Sequence, residues 1–152
     1  MNIIAEHEDV WVASLEDKPG ALGSKLGALA DSGADLRLII ARRRPDKPGE
    51  GVMFITPLRD DREIGVAVEE GFSVSCHLHV VQVEGQNAPG IAAKMTQRIG
   101  QAGLNLRGFS GAVLGMQFVM HLTFDTAEAA QGAIPVVEAL ANSWARPQVV
   151  SA

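Results

Sequence analysis

The residues of this chain best placed to do chemistry form two short elbows, Asp17-Lys18-Pro19-Gly20 and Asn87-Ala88-Pro89-Gly90, each set where an apolar run gives way to a helical pattern. The chemistry they suggest is recognition rather than catalysis. Glycine lets a molecule approach the backbone closely, and proline suits a first helical turn, where its missing N–H is not needed. Free amides at a helix start form a weak positive pole suited to a carboxylate. Asp17 and Asn87 read either as helix caps or as acceptors for an ammonium group. An α-amino acid carries both charged groups. The alternative is a well-capped strand-to-helix turn with no ligand.

The elbows are parts of a longer repeat. Pro19 and Pro89, Gly20 and Gly90, Gly33 and Gly103, Leu36 and Leu106, and Arg37 and Arg107 all stand 70 positions apart without a gap. Asp35 and Asn105 occupy matching entries to the strand that follows each helix. In each copy the pattern reads strand, helix, strand, strand, helix, strand. The first strands are expected at Val10 to Leu15 and around Val81 to Val83, alternating between two faces. Leu22, Leu26 and Leu29 mark one helix, and Ile91, Met95 and Ile99 the other, with Gly33 and Gly103 as stops. Hairpins are expected from Leu36 to Leu58 and from Leu106 to Phe124. A second helix spans Asp60 to Glu70 in the first copy and Thr126 to Ala141 in the second, where Pro135 should kink it or mark its restart. Fourth strands are expected at Phe72 to Cys76 and Gln148 to Ser151. Ser73 to Glu84 holds no Gly or Pro to mark a turn, so the strands on either side either run together or are tightly linked. The expected modules are 1–76 and 77–152.

Other constellations carry less. Cys76, His77 and His79 lie close together, but only His77 and His79 share a strand face, and no metal site is expected. His121 reads as a hydrogen-bonded strand residue. Ser14, Ser110 and Thr123 lack a base partner, and neither elbow carries the arginine that phosphoryl chemistry on such a fold needs, so no catalytic residue is assigned. Gly108 to Gly115 reads as a strand with bulges. Arg42-Arg43-Arg44 reads as a solvated strand end. Met53, Met95, Met116 and Met120 read as core filling, and Trp144 as a cap or dimer contact.

Composition sets the class. Of 152 residues, 47% are hydrophobic and 20% charged, which is normal for a folded domain. The net charge of −5, the 5% aromatic content and the absence of Tyr argue against nucleic-acid binding. A single Cys excludes an internal disulfide, and no apolar run reaches membrane-spanning length. A cytoplasmic protein without membrane contact is expected.

With Asp17-Lys18-Pro19-Gly20-Ala21-Leu22 and Asn87-Ala88-Pro89-Gly90-Ile91, each followed by a helix, a glycine and then Ala34-Asp35-Leu36 or Leu104-Asn105-Leu106, the chain resembles the ACT domain in tandem. The resemblance implies an α+β fold of two ferredoxin-like βαββαβ modules, with antiparallel sheets and helices on one face. It implies a small amino acid or related metabolite as ligand, held by the amides of Gly20, Ala21 and Leu22 or of Gly90, Ile91 and Ala92. Asp17, Asn87, Asp35 and Asn105 would lie nearby, and Asp17 and Asp35 would turn a carboxylate toward the second site. It implies a non-catalytic regulatory role with no cofactor, a homodimer and a regulated protein partner. The alternative is an assembly module whose edge strands pair with another protein and which takes no small molecule.

Overall fold

The N-terminal alternation of Ile3, Ala5 and His7 with Ile4, Glu6 and Glu8 already has the period of a half-buried strand. In the computed structural model, which describes residues 2–143, this segment lengthens the first strand: β1 runs Ile3–Glu16, well ahead of the expected start at Val10. There follow α1 (Ala21–Asp31), β2 (Leu38–Arg43), β3 (Glu50–Thr56), α2 (Asp61–Glu69), β4 (Ser73–Gln86), α3 (Ile91–Gln101), β5 (Gly108–Leu114), β6 (Gln117–Phe124), α4 (Ala127–Glu138) and α5 (Leu140–Ser143). The run without Gly or Pro is one strand: β4 is continuous over 14 residues. The expected strand at Gln148 to Ser151 and Trp144 lie outside the described residues.

The chain divides into two compact units, Asp9–Cys76 and Met1–Glu8 with His77–Ala152. Residues 1–8 therefore group with the second half, not with the 1–76 module expected from sequence. Ile3 and Ala5 pack against the core of that second half, which supplies the physical reason. In Asp9–Cys76 the strands lie in the order β2-β3-β1-β4, and in the other unit β1-β4-β6-β5. Each unit is α+β, with an antiparallel hairpin, β2 with β3 or β5 with β6, joined through β3 or β6 to β1 or β4. The register of β5 against β6 is continuous from Gly108 to Leu114, so the expected bulges are not there.

Each unit has its own core. Ala13, Leu29, Met53, Ile55, Ala67 and Phe72 form one. Val81, Val83, Ile91, Met95, Ile99, Phe118 and Leu122 lead the other, with Val137 and Leu140 of α4 and α5. Of the expected helix stripes, Ile91, Met95 and Ile99 are buried as read, but Leu22 is 37% exposed; Met116, read as core filling, is 72% exposed. Helix ends explain several polar residues. Asp60 accepts from the Glu63 amide at 2.8 Å while the Glu63 carboxylate accepts from the Asp60 amide at 3.1 Å, a capping box that accounts for a buried glutamate. Thr126 caps α4 through the Ala129 amide at 3.1 Å. Gly33, Gly71 and Gly103 have positive φ just after α1, α2 and α3. Pro135 lies inside α4, which continues to Glu138.

Candidate functional site

At each elbow the chain leaves a strand through the same turn. Gly20 has φ 86° and ψ −14°, and Gly90 φ 83° and ψ 3°. Lys18 O accepts from the Ala21 amide at 3.3 Å, and Ala88 O from the Ile91 amide at 3.1 Å. With proline ahead of a glycine at positive φ, these are type II turns, and the dipeptide is the pair that such a turn favours. Pro19 and Pro89 thus precede the helix instead of lying in its first turn, as the sequence had suggested. A Cβ added at Gly20 or Gly90 would meet nothing within 4 Å, so open space lies over both glycines.

The turn changes the list of available amides. Those of Ala21 and Ile91 are engaged by the turn itself. Those of Leu22 and Ala92 stand in a first helical turn that has no side-chain cap in either unit. Asp17 and Asn87 are therefore not caps. The Asp17 carboxylate instead meets Arg43 Nε at 2.9 Å, so the repulsion of a carboxylate expected from Asp17 is offset by a guanidinium. Beside it, Lys18 and Glu16 pair at 2.7 Å. Their mutual hydrogen bond, with their attraction, holds the Glu16 carboxyl below its ordinary range and the Lys18 ammonium above its own.

Asp35 and Asn105 lie elsewhere. Each is exposed beyond the far end of an 11-residue helix, roughly 16 Å along from its own elbow. Their neighbours Leu36 and Leu106 pack on the cores. Within a unit the structure does not bring these polar positions to the elbow. It brings the end of β2.

The strand rows beneath the elbows differ. In Asp9–Cys76 the row is Leu15, Gly51, Arg43, and in the other unit Gly85, Phe118, Val113. Gly51 leaves the middle of its row without a side chain, and a cavity of about 290 Å³ opens there, lined by Asp17, Lys18, Leu22, Ala41, Arg42 and Arg43 among others. In the other unit the fully buried Phe118 takes that place, so close to Gly85 that a Cβ there would lie 2.8 Å from the ring. A second concavity of about 490 Å³ touches the first elbow through Lys18, Pro19, Gly20 and Ala21 and reaches Lys25 and Glu70.

Neither Arg43 nor Gly51 was singled out as a site residue from sequence. The available signals were a glycine inside an apolar strand and the repeat itself, which sets Arg42-Arg43-Arg44 against Ala112-Val113-Leu114.

The histidines form no metal centre: among the described residues no group of three or more His, Cys, Asp or Glu could hold an ion. His79 stacks on His7, with ring centroids 5.7 Å apart. His121 lies buried between Gln82 and Ser110 on adjacent strands. It is the strand residue expected, but its Nε2 has no hydrogen-bond partner. Burial lowers its pKa, and the nearby Glu84 carboxylate opposes this in part. Among the described residues no helix is long and apolar enough to cross a membrane.

No family profile matches the chain. No characterised protein matches its sequence. Solved structures do share its fold. The regulatory subunit of aspartate kinase from Thermus thermophilus, in its ligand-free form, superposes with a TM-score of 0.65 at 22% identity, over 90% of this chain and 95% of that one. A protein from Bacteroides thetaiotaomicron superposes at 0.70 with 16% identity, over 86% and 88%. The aspartokinase alpha and beta subunits superpose at 0.64 with 18% identity, over 93% and 98%.

Proposed function

We propose that this protein is a non-catalytic regulatory module, two ACT units in tandem, that binds a small amino acid or related metabolite at its elbows and passes the occupancy on through subunit packing or a protein partner. The observation that carries the reading is the repetition of one device. Each unit holds a type II turn whose glycine leaves open space, followed by a helix whose first turn has no side-chain cap. A buried or purely structural helix start ordinarily finds a capping side chain, as α2 and α4 do in this same chain. Two uncapped starts behind identical turns suit a ligand carboxylate. The likeness in fold to the regulatory subunit of aspartate kinase from Thermus thermophilus supports the regulatory part.

The site on this reading comprises Asp17, Lys18, Pro19, Gly20, Ala21 and Leu22 in one unit and Asn87, Ala88, Pro89, Gly90, Ile91 and Ala92 in the other. Asp35 with Leu36, and Asn105 with Leu106, would serve a neighbouring copy's elbow in a homodimer, since they lie too far from their own. Binding would favour whichever arrangement closes the site, and that differential affinity is the signal.

A thermal-shift screen with each of the twenty protein amino acids tests this. A ligand at one hundred times its dissociation constant adds about 2.7 kcal/mol. The expected result is a shift with at least one amino acid that weakens in a Gly20→Val or Gly90→Val protein. A flat response to the whole set would sink the reading. It would favour the assembly module, for which the terminal strands β2 and β5, with Ile39 at 46%, Phe109 at 44%, Val113 at 51% and Leu114 at 73% exposure, supply the surface.

A further inference from the structure

The Asp17–Arg43 ion pair has an unusual origin. Arg43 ends β2 and Asp17 directly follows β1, and β3 runs between those two strands. The intervening residue of Arg43's own row is Gly51, which puts no side chain in the gap. Any larger residue there would be obstructed, since an added Cβ would stand 2.9 Å from the Arg42 carbonyl oxygen. The same glycine opens the cavity of about 290 Å³ beneath Leu22. One substitution in the repeat thus couples a space and an ion pair at its mouth, where the other unit has a buried phenylalanine and a valine.

The pair has little reason to exist for stability. Its Nε–Oδ2 distance is 2.9 Å, but the Arg43 side chain is 83% exposed and that of Asp17 36%, and exposed pairs contribute little to stability. The cavity lies at the lower end of small-molecule sites in volume, which limits an occupant to about the size of one amino acid. Its walls divide in character. Leu15, Leu22 and Ala41 are apolar, while Asp17 and Arg43 present both signs of charge.

We infer that the cavity over Gly51 takes a zwitterionic amino acid that inserts into the Asp17–Arg43 pair, its carboxylate on the Arg43 guanidinium and its ammonium on the Asp17 carboxylate. This rests on the amino-acid reading above. It adds that the unit Asp9–Cys76 carries the working site and that Arg43, outside the elbow motif, selects the ligand. Opening the pair costs little, and both of its charges are re-paired by the entering molecule, the carboxylate to an arginine fork suited to two parallel hydrogen bonds. The apolar wall receives the side chain. In the other unit Val113 replaces Arg43 and Asn87 replaces Asp17, so nothing there matches a zwitterion.

The test uses the full chain and three probes for each amino acid of the screen: the amino acid, its carboxamide, which lacks the carboxylate charge, and its N-acetyl form, which lacks the ammonium. The expected result is a thermal shift with the free amino acid alone. Arg43→Gln and Asp17→Asn should each weaken it at least about tenfold in calorimetry, the order lost with one charged hydrogen bond. Both are surface changes, and circular dichroism of the unliganded variants checks that they fold. If an amino acid binds wild type and both variants alike but loses affinity in Gly90→Val, the regulatory reading survives on the second elbow and this inference falls. If the carboxamide binds as well as the acid, the inference falls too. If no probe shifts wild type, both readings fall together.

Discussion

The two units of this chain repeat each other in turn, helix and strand order, yet they fill the space under the elbow in opposite ways. Beneath Gly90 the row Gly85, Phe118, Val113 places a fully buried aromatic ring, with small or aliphatic residues on either side. Beneath Gly20 the row Leu15, Gly51, Arg43 leaves the middle empty and sets a charge at the edge. The sheet's opposite face is inverted as well, with Val12, Phe54 and Ile40 in one unit and Gln82, His121 and Ser110 in the other. The next row shows that this is not general drift: Ala13, Met53, Ala41 matches Val83, Met120, Gly111 in size and polarity. A duplicated fold keeps the core that both copies need and diverges where one copy can give up packing. One elbow rests on a filled core, and the other on a cavity with charges at its mouth.

The largest expected effect breaks the filled copy. Phe118 is 0% exposed and lies within the core with Ile91 and Met95. Phe118→Ala should lower the stability of that unit by about 3–5 kcal/mol, the range for a buried aromatic cut to alanine, read in urea denaturation. A loss under about 1 kcal/mol would mean that the ring is not the filler that distinguishes the copies.

The next effect tests what the copies share. Gly20→Ala and Gly90→Ala each place a Cβ in open space but at φ 86° and 83°. The cost is then conformational alone, about 1–2 kcal/mol for an L residue in the left-handed region, and it should be the same at both elbows. Unequal costs in matched denaturation curves would show that one turn is held by contacts other than its own geometry. Equal costs with unequal effects on amino-acid binding would place the working site in one unit.

What could be read in the sequence followed how local its cause was. Pro19-Gly20 and Pro89-Gly90 announce their turns because a type II turn needs a residue at positive φ in its third position and favours proline in its second, and Gly33 and Gly103 announce helix ends for a similar reason. The start of β1 escaped because Glu6, Glu8 and Asp9 precede the apolar run that begins at Val10, although Ile3 and Ala5 alternate with them as a strand and complete the core of the other unit. The role of Asp17 escaped for a deeper reason. Whether it caps a helix or meets a cation depends on a residue 26 positions away, reached across an intervening strand. Leu22 fits the helical period and is nonetheless exposed, because the space it covers was left empty by Gly51.

The smallest effect concerns the opposite face, where only one copy buries a titratable group. His121 is 6% exposed. Burial depresses its pKa below the ordinary 6.5, and Glu84 restores only part of the loss. The unfolded chain takes up this proton near pH 6.5, the folded chain only at lower pH. Between the two the unfolded state holds more protons, so stability rises with pH. The contribution is complete above about pH 6.5 and is lost as the pH falls through the window beneath it. His121→Phe, which gives the row the aromatic found at Phe54 in the other copy, removes the titration. The stability of this variant relative to wild type should therefore improve as the pH drops below 6.5, measured as the difference between their thermal unfolding midpoints. Parallel curves through that window would mean that His121 takes up its proton in the folded protein as readily as in the unfolded chain, and that the polar row is wetter than its burial implies.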